Sequence, residues 1–145
     1  MSLVHVTRMT LFAFVLSTFA GSSLLAEDAE AVKWHHSISE AKKIAQETGR
    51  PLLIFVTMQN CRYCTQMKQT TLVDPTVVEE ANESFVSAYV DESTNRELVR
   101  SLGIRSFPTT LIATPDGRVK EMVRGFVGAE ALKQRMRSVR VADRG

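Results

Sequence analysis

The chain has few of the residues that commit a sequence to a special architecture. Two cysteines among 145 residues cannot build a disulfide-dense scaffold or, alone, a four-thiolate zinc site. Seven glycines and four prolines leave no collagen-like or linker-like composition, and there is no internal repeat or low-complexity tract. Neither charge sign dominates: 18 Lys and Arg against 16 Asp and Glu give +2, which offers no electrostatic case for nucleic acid as a ligand. With 44% hydrophobic and 23% charged residues, the composition is that of one ordinary globular domain.

Acidic residues are missing altogether from residues 1–26, where Arg8 is the only fixed side-chain charge. An apolar run over residues 9–20 leads into small and apolar residues ending at Ala26, and Glu27 and Asp28 follow. This is the layout of a secretory signal peptide over residues 1–26, with cleavage expected after Ala26 and a cut after Ala20 as the alternative. Retention as an anchor is the competing expectation, since residues 9–26 would reach roughly 27 Å as a helix, marginal for a bilayer. The location expected is therefore periplasmic or secreted, where disulfides persist. Residues 27–145 make a single domain large enough to bury roughly two-thirds of its unfolded surface without staples.

Within that domain the pattern predicts a helix over 37–48, with Ser37 and Glu40 as a capping box and Gly49 and Pro51 as the stop. The run Leu52, Leu53, Ile54, Phe55, Val56 reads as a strand buried on both faces. Helices follow at 61–69 and from Pro75 to about Ala81, then a strand over 85–90 and a helix over 96–102 ended by Gly103. A hairpin over 109–113 and 118–123 turns around Pro115, Asp116 and Gly117, and a last helix runs over 129–139. Early strands separated by helices, then a hairpin and a helix, predict an α/β sandwich with a mixed central sheet flanked by helices.

The chemistry concentrates at Cys61, Arg62, Tyr63 and Cys64, where a buried strand meets a helix start. The spacing brings both sulfurs within one helical turn, and the unpaired amides there favour a thiolate at Cys61, reinforced by the Arg62 charge. Cys64, one turn in, is expected to be buried and to remain a thiol. Three other readings compete. A structural disulfide across so short a loop would constrain the unfolded chain by only about 2 kcal/mol. A zinc site completed by His35 and His36 lacks the usual histidine spacing. The cysteines could also be incidental. Redox activity accounts best for the motif's position, with no metal and no cofactor beyond the cysteine pair itself.

The order of elements, the Cys61–Cys64 motif and the segment Gly103, Ile104, Arg105, Ser106, Phe107, Pro108, Thr109 together resemble the thioredoxin superfamily over nearly all of the mature chain. Trp34, the first helix and the segment Gly49 to Leu53 are most similar to exported proteins related to the C-terminal domain of bacterial thiol:disulfide interchange proteins. The resemblance implies a thioredoxin-like three-layer sandwich, a cis proline at Pro108, and Phe107 against a partner's backbone. It implies thiol–disulfide exchange with protein thiols and disulfides, more reductase than oxidase, by a monomer. A membrane electron donor is a candidate partner, and membrane contact is expected only if the leader is retained. Cys61 and Cys64 are the catalytic candidates; Asn60, Arg62, Tyr63, Phe107 and Pro108 are the substrate-binding candidates. A non-enzymatic binding module or metal carrier using both cysteines as ligands is the alternative.

The sequence departs from that family's pattern in three places. Asn60 stands where the family has Trp, and Arg62 and Tyr63 replace Gly-Pro. Phe55 stands six residues before Cys61, where classical thioredoxins place a buried acid, which leaves the proton acceptor for Cys64 undefined; neither Glu47 nor Asp91 is an evident substitute. Elsewhere, Trp34 is expected to pack on the fold and His35 and His36 to be solvated. Core packing is expected of Met58 and Met67, and core or edge packing of Phe126. The eight Lys and Arg from Arg118 onward are expected to form a solvated helix face and tail, not a membrane-binding patch.

Overall fold

The computed structural model describes residues 31–142. The leader read over residues 1–26 lies outside the described residues. Five strands, β1 (Trp34–His35), β2 (Leu52–Thr57), β3 (Val86–Asp91), β4 (Thr109–Ala113) and β5 (Val119–Arg124), form one sheet in the order β1-β3-β2-β4-β5. β2 lies parallel to β3 and antiparallel to β4, so the sheet is mixed. Five helices flank it: α1 (Ile38–Thr48), α2 (Arg62–Gln69), α3 (Pro75–Ser84), α4 (Arg96–Ser101) and α5 (Ala129–Ala142).

Alternation along β2 explains the layers. Leu53 and Phe55 point into one apolar layer, with Cys64 and Met67 of α2, Val77, Val78 and Ala81 of α3, and Leu132 and Met136 of α5. Leu52, Ile54 and Val56 point into the other, with Ala41 and Ala45 of α1 and Val99 of α4. All six residues of β2 are buried, as expected of a central strand covered on both faces.

Helix ends follow local chemistry. The Ser37 hydroxyl accepts the Glu40 N–H at 3.3 Å, which is one half of the predicted capping box. The other half is not made as predicted, because the Glu40 carboxylate is turned toward His35 Nδ1, 3.8 Å away. Gly49 closes α1 in the left-handed region, φ 67°. Asp74 caps α3 by accepting the N–H groups of Thr76 and Val77, and Pro75 occupies the first turn.

The structure adds two elements to the sequence pattern. β1 pairs only two residues, Trp34 with Ser87 and His35 with Ala88, and a short 3-10 turn spans Thr71–Val73. α3 and α5 each run three residues beyond the ends expected from the pattern. α5 is tied down by charge: Arg140 reaches Glu80 and Ser84 of α3, and Arg135 reaches Glu121 of β5. Part of the basic helix face is therefore paired against neighbouring elements instead of being left to solvent.

Candidate active site

The loop from β2 delivers Cys61 to the start of α2. Asn60 immediately before it has φ 56°, the left-handed region that Asn tolerates better than most side chains. Cys61 is the N-cap of α2, and its Sγ accepts the backbone N–H of Cys64 at 3.1 Å. The two cysteines are joined by a disulfide, with Cα atoms 5.2 Å apart. Their environments differ: Cys64 is 1% exposed within the apolar layer, whereas Cys61 is half-buried at its edge.

The other predicted site residues divide by exposure. Arg62 and Tyr63 project from the first turn of α2 into solvent, with Tyr63 57% exposed, and Asn60 is exposed beside them. A shallow surface cleft runs along this side of the helix past Asn60, Cys61, Arg62, Thr65 and Gln66. The Phe107–Pro108 peptide is cis, as the resemblance implies, and leads directly into β4. Pro108 is buried; Phe107 is half-buried and packs against both apolar layers, including the one that holds Cys64.

Phe55 fills the place of the missing acid and is fully buried. Its ring lies 6.2 Å from Trp34 and 5.8 Å from Tyr89, and those two rings meet edge to face at 6.1 Å. The layer beneath the disulfide is thus aromatic where a carboxyl would sit in classical thioredoxins. Asp91 stands at the end of β3. Its carboxylate accepts the Ser93 hydroxyl and the Ser93 N–H, which hold it below the ordinary carboxylate range, with the Lys68 charge adding to the effect. Glu47 is exposed on α1, 3.9 Å from Lys43.

Several features escape sequence reasoning. Met58 and Phe126 are each 40% exposed, contrary to the packing expected of them, because both fall outside the paired strands. Met67 is fully buried as expected. His36 is exposed, as expected, and lies against the Tyr89 ring at 5.5 Å, while His35 in β1 is half-buried and only partly solvated. Among the described residues no three His, Cys, Asp or Glu side chains converge as a metal site, and no helix is long and apolar enough to cross a membrane. The buried hydroxyls of Ser87 and Thr110 have no hydrogen-bond partner among the described residues; Thr110 pairs in register with Phe55.

Comparison with known structures agrees with this geometry. A thioredoxin from Thermus thermophilus superposes with a TM-score of 0.69 at 26% identity, covering 77% of this chain and 88% of that one. The C-terminal domain of Neisseria meningitidis DsbD, in its reduced form, gives 0.61 at 20% identity over 69% of this chain and 90% of that one. DsbH oxidoreductase gives 0.67 at 18% identity over 77% and 87%. No curated protein sequence matches. The sheet order, the disulfide at a helix start and the cis proline at the entry to β4 agree with a thioredoxin-like domain model that matches residues 38–140. The chain therefore belongs to the thioredoxin-like family, with a fold similar to that of bacterial thiol:disulfide interchange domains.

Proposed function

We propose that this protein is a thiol:disulfide oxidoreductase that reduces disulfides of protein partners outside the cytosol through Cys61 and Cys64. The observation that carries the proposal is the asymmetry of the pair: a half-buried sulfur facing a helix-start amide, bonded to a fully buried one. In the reduced protein the Cys64 N–H and the helix start favour a thiolate at Cys61, while apolar burial favours the neutral thiol at Cys64.

The Cys61 thiolate attacks one sulfur of a partner disulfide, forming a mixed disulfide and expelling the partner's other sulfur as a thiolate, which takes a proton from solvent. Cys64 then loses its proton to water and attacks the Cys61 sulfur. The second partner thiolate leaves and is protonated. The partner gains two electrons and two protons, and Cys61–Cys64 is left oxidised. A dithiol donor must then re-reduce the pair, and a membrane electron donor is the class proposed.

Around the sulfur, Tyr63 and Phe107 offer apolar contact, Asn60 and Arg62 a polar rim, and the backbone beside Pro108 a place for an extended partner segment. No cofactor is needed beyond the cysteine pair. The leader-like residues 1–26 support an exported location, and the reductive direction is tested by the reduction potential.

The test is turnover in an insulin-reduction assay with dithiothreitol, comparing the native chain with Cys61→Ser and Cys64→Ser. Activity well above background that both substitutions abolish is expected. Background activity together with stoichiometric zinc or copper held by both cysteines would replace the proposal with a metal-binding module. A reduction potential near about −270 mV supports a reductant, and one near about −120 mV an oxidant.

A further inference from the structure

On the opposite side of the sheet from Cys61 and Cys64, the second apolar layer is not closed. Between α1, α4 and the sheet lies a cavity of about 330 Å³, partly open to solvent. Its floor is the outward face of β2 and β4, including Ile54 and Leu111, and Leu98 of α4 with Leu102 just past its end form one wall. Val119 of β5, 39% exposed, stands at the rim. The volume is at the lower end of the roughly 300–1,000 Å³ of small-molecule sites. It is about twice the roughly 150 Å³ cavity known to hold benzene, which leaves room for about eight to ten carbon atoms.

Among the described residues, Lys42 is the only charged one lining this space. Its chain lies across the hairpin turn, with Nζ 3.4 Å from where a Cβ on Gly117 would sit. The neighbouring carboxylates are engaged elsewhere: Glu40 faces His35, Glu47 faces Lys43, and Asp116 bonds Thr114 and Arg118. A single cation over an apolar cavity is complementary to an aliphatic chain ending in one negative charge.

We infer that this cavity is a binding site for a medium-chain aliphatic carboxylate, with the chain against Ile54, Leu98 and Leu111 and the carboxylate at Lys42. The sheet separates it from the disulfide, so occupancy is independent of the redox chemistry proposed above.

The experiment is titration of the full chain in detergent-free buffer with octanoate, 1-octanol and octylamine, followed by calorimetry and backbone amide shifts. Octanoate is expected to bind one to one, more tightly than octylamine, with shifts centred on Leu98, Leu111 and Val119. Lys42→Met should weaken octanoate about three- to fivefold, as for a solvent-exposed ion pair, and leave 1-octanol unchanged. Leu98→Trp, which fills the cavity, should abolish both; Val119→Trp at the rim serves if that variant does not fold. The variant with Cys61→Ser and Cys64→Ser should bind octanoate as the native chain does. Non-saturable binding, equal affinity for octylamine, an unaffected Lys42→Met, or shifts centred on residues 60–64 and 107 would each overturn the assignment.

Discussion

The Sγ of Cys61 accepts the backbone N–H of Cys64 at 3.1 Å, so the first residue of the pair caps the helix that carries the second. The same amide is available to the sulfur once the bond is reduced. In the reduced protein at neutral pH, Cys61 is expected to react with iodoacetamide at least about tenfold faster than Cys64, because one sulfur is supported and reachable and the other is enclosed. Peptide mapping after brief alkylation reads the ratio; equal labelling would contradict the assigned roles.

Trapping separates the two thiols further. With a disulfide-bonded protein substrate, Cys64→Ser should accumulate a mixed disulfide at Cys61, whereas Cys61→Ser should not. Non-reducing electrophoresis distinguishes them, and equal trapping by both variants would remove the order of attack.

Asn60 sits at φ 56° one residue before the nucleophile. Asn60→Gly is expected to be nearly neutral in stability, while Asn60→Val should cost about 1–2 kcal/mol, because a β-branched side chain is poorly tolerated there. Urea denaturation of both variants checks this; indistinguishable midpoints would mean the loop adopts another conformation.

Asp74 is held below its ordinary value of 3.8 chiefly by the Thr76 hydroxyl, and also by the N–H groups of Val77 and Thr76. Asp91 is lowered in the same sense by Ser93. A carboxylate whose folded value is depressed contributes stability that is present above its unfolded value and is lost as pH falls through its folded value. Stability is therefore expected to decline with acidification below about pH 4, and less steeply in Asp74→Ala, which itself loses about 1 kcal/mol of capping at neutral pH. Thermal melts across that range test both statements.

Thr110 carries a buried hydroxyl without a partner among the described residues, in register with Phe55. Thr110→Val removes the unsatisfied group at nearly constant volume and is expected to raise stability by up to about 1 kcal/mol. A loss of more than about 1 kcal/mol would show that the hydroxyl is engaged.

Most of the sheet and helices could be read from pattern because each has a local cause. The run over Leu52 to Val56 has apolar residues on both faces, Pro75 and Asp74 open α3, and Gly117 turns the hairpin. β1 could not be read, since two residues carry no periodicity and become a strand only by pairing with Ser87 and Ala88. The Cys61–Cys64 pair was legible because a short spacing holds both residues on one helical turn. The aromatic group of Trp34, Phe55 and Tyr89 was not, because its members lie on three strands. The cavity beside Lys42 was equally hidden, since it depends on how far α4 stands from the sheet and not on any one residue.

The strand order also governs the timing of assembly. β2, which positions Cys61, is completed on one side by β4, and β4 begins about 45 residues after Cys64. At roughly 5–20 residues per second of synthesis, both thiols are made several seconds before the strand that finishes their shelter exists. The newborn pair is therefore open to any oxidant or thiol it meets, and its selectivity begins only when the hairpin docks.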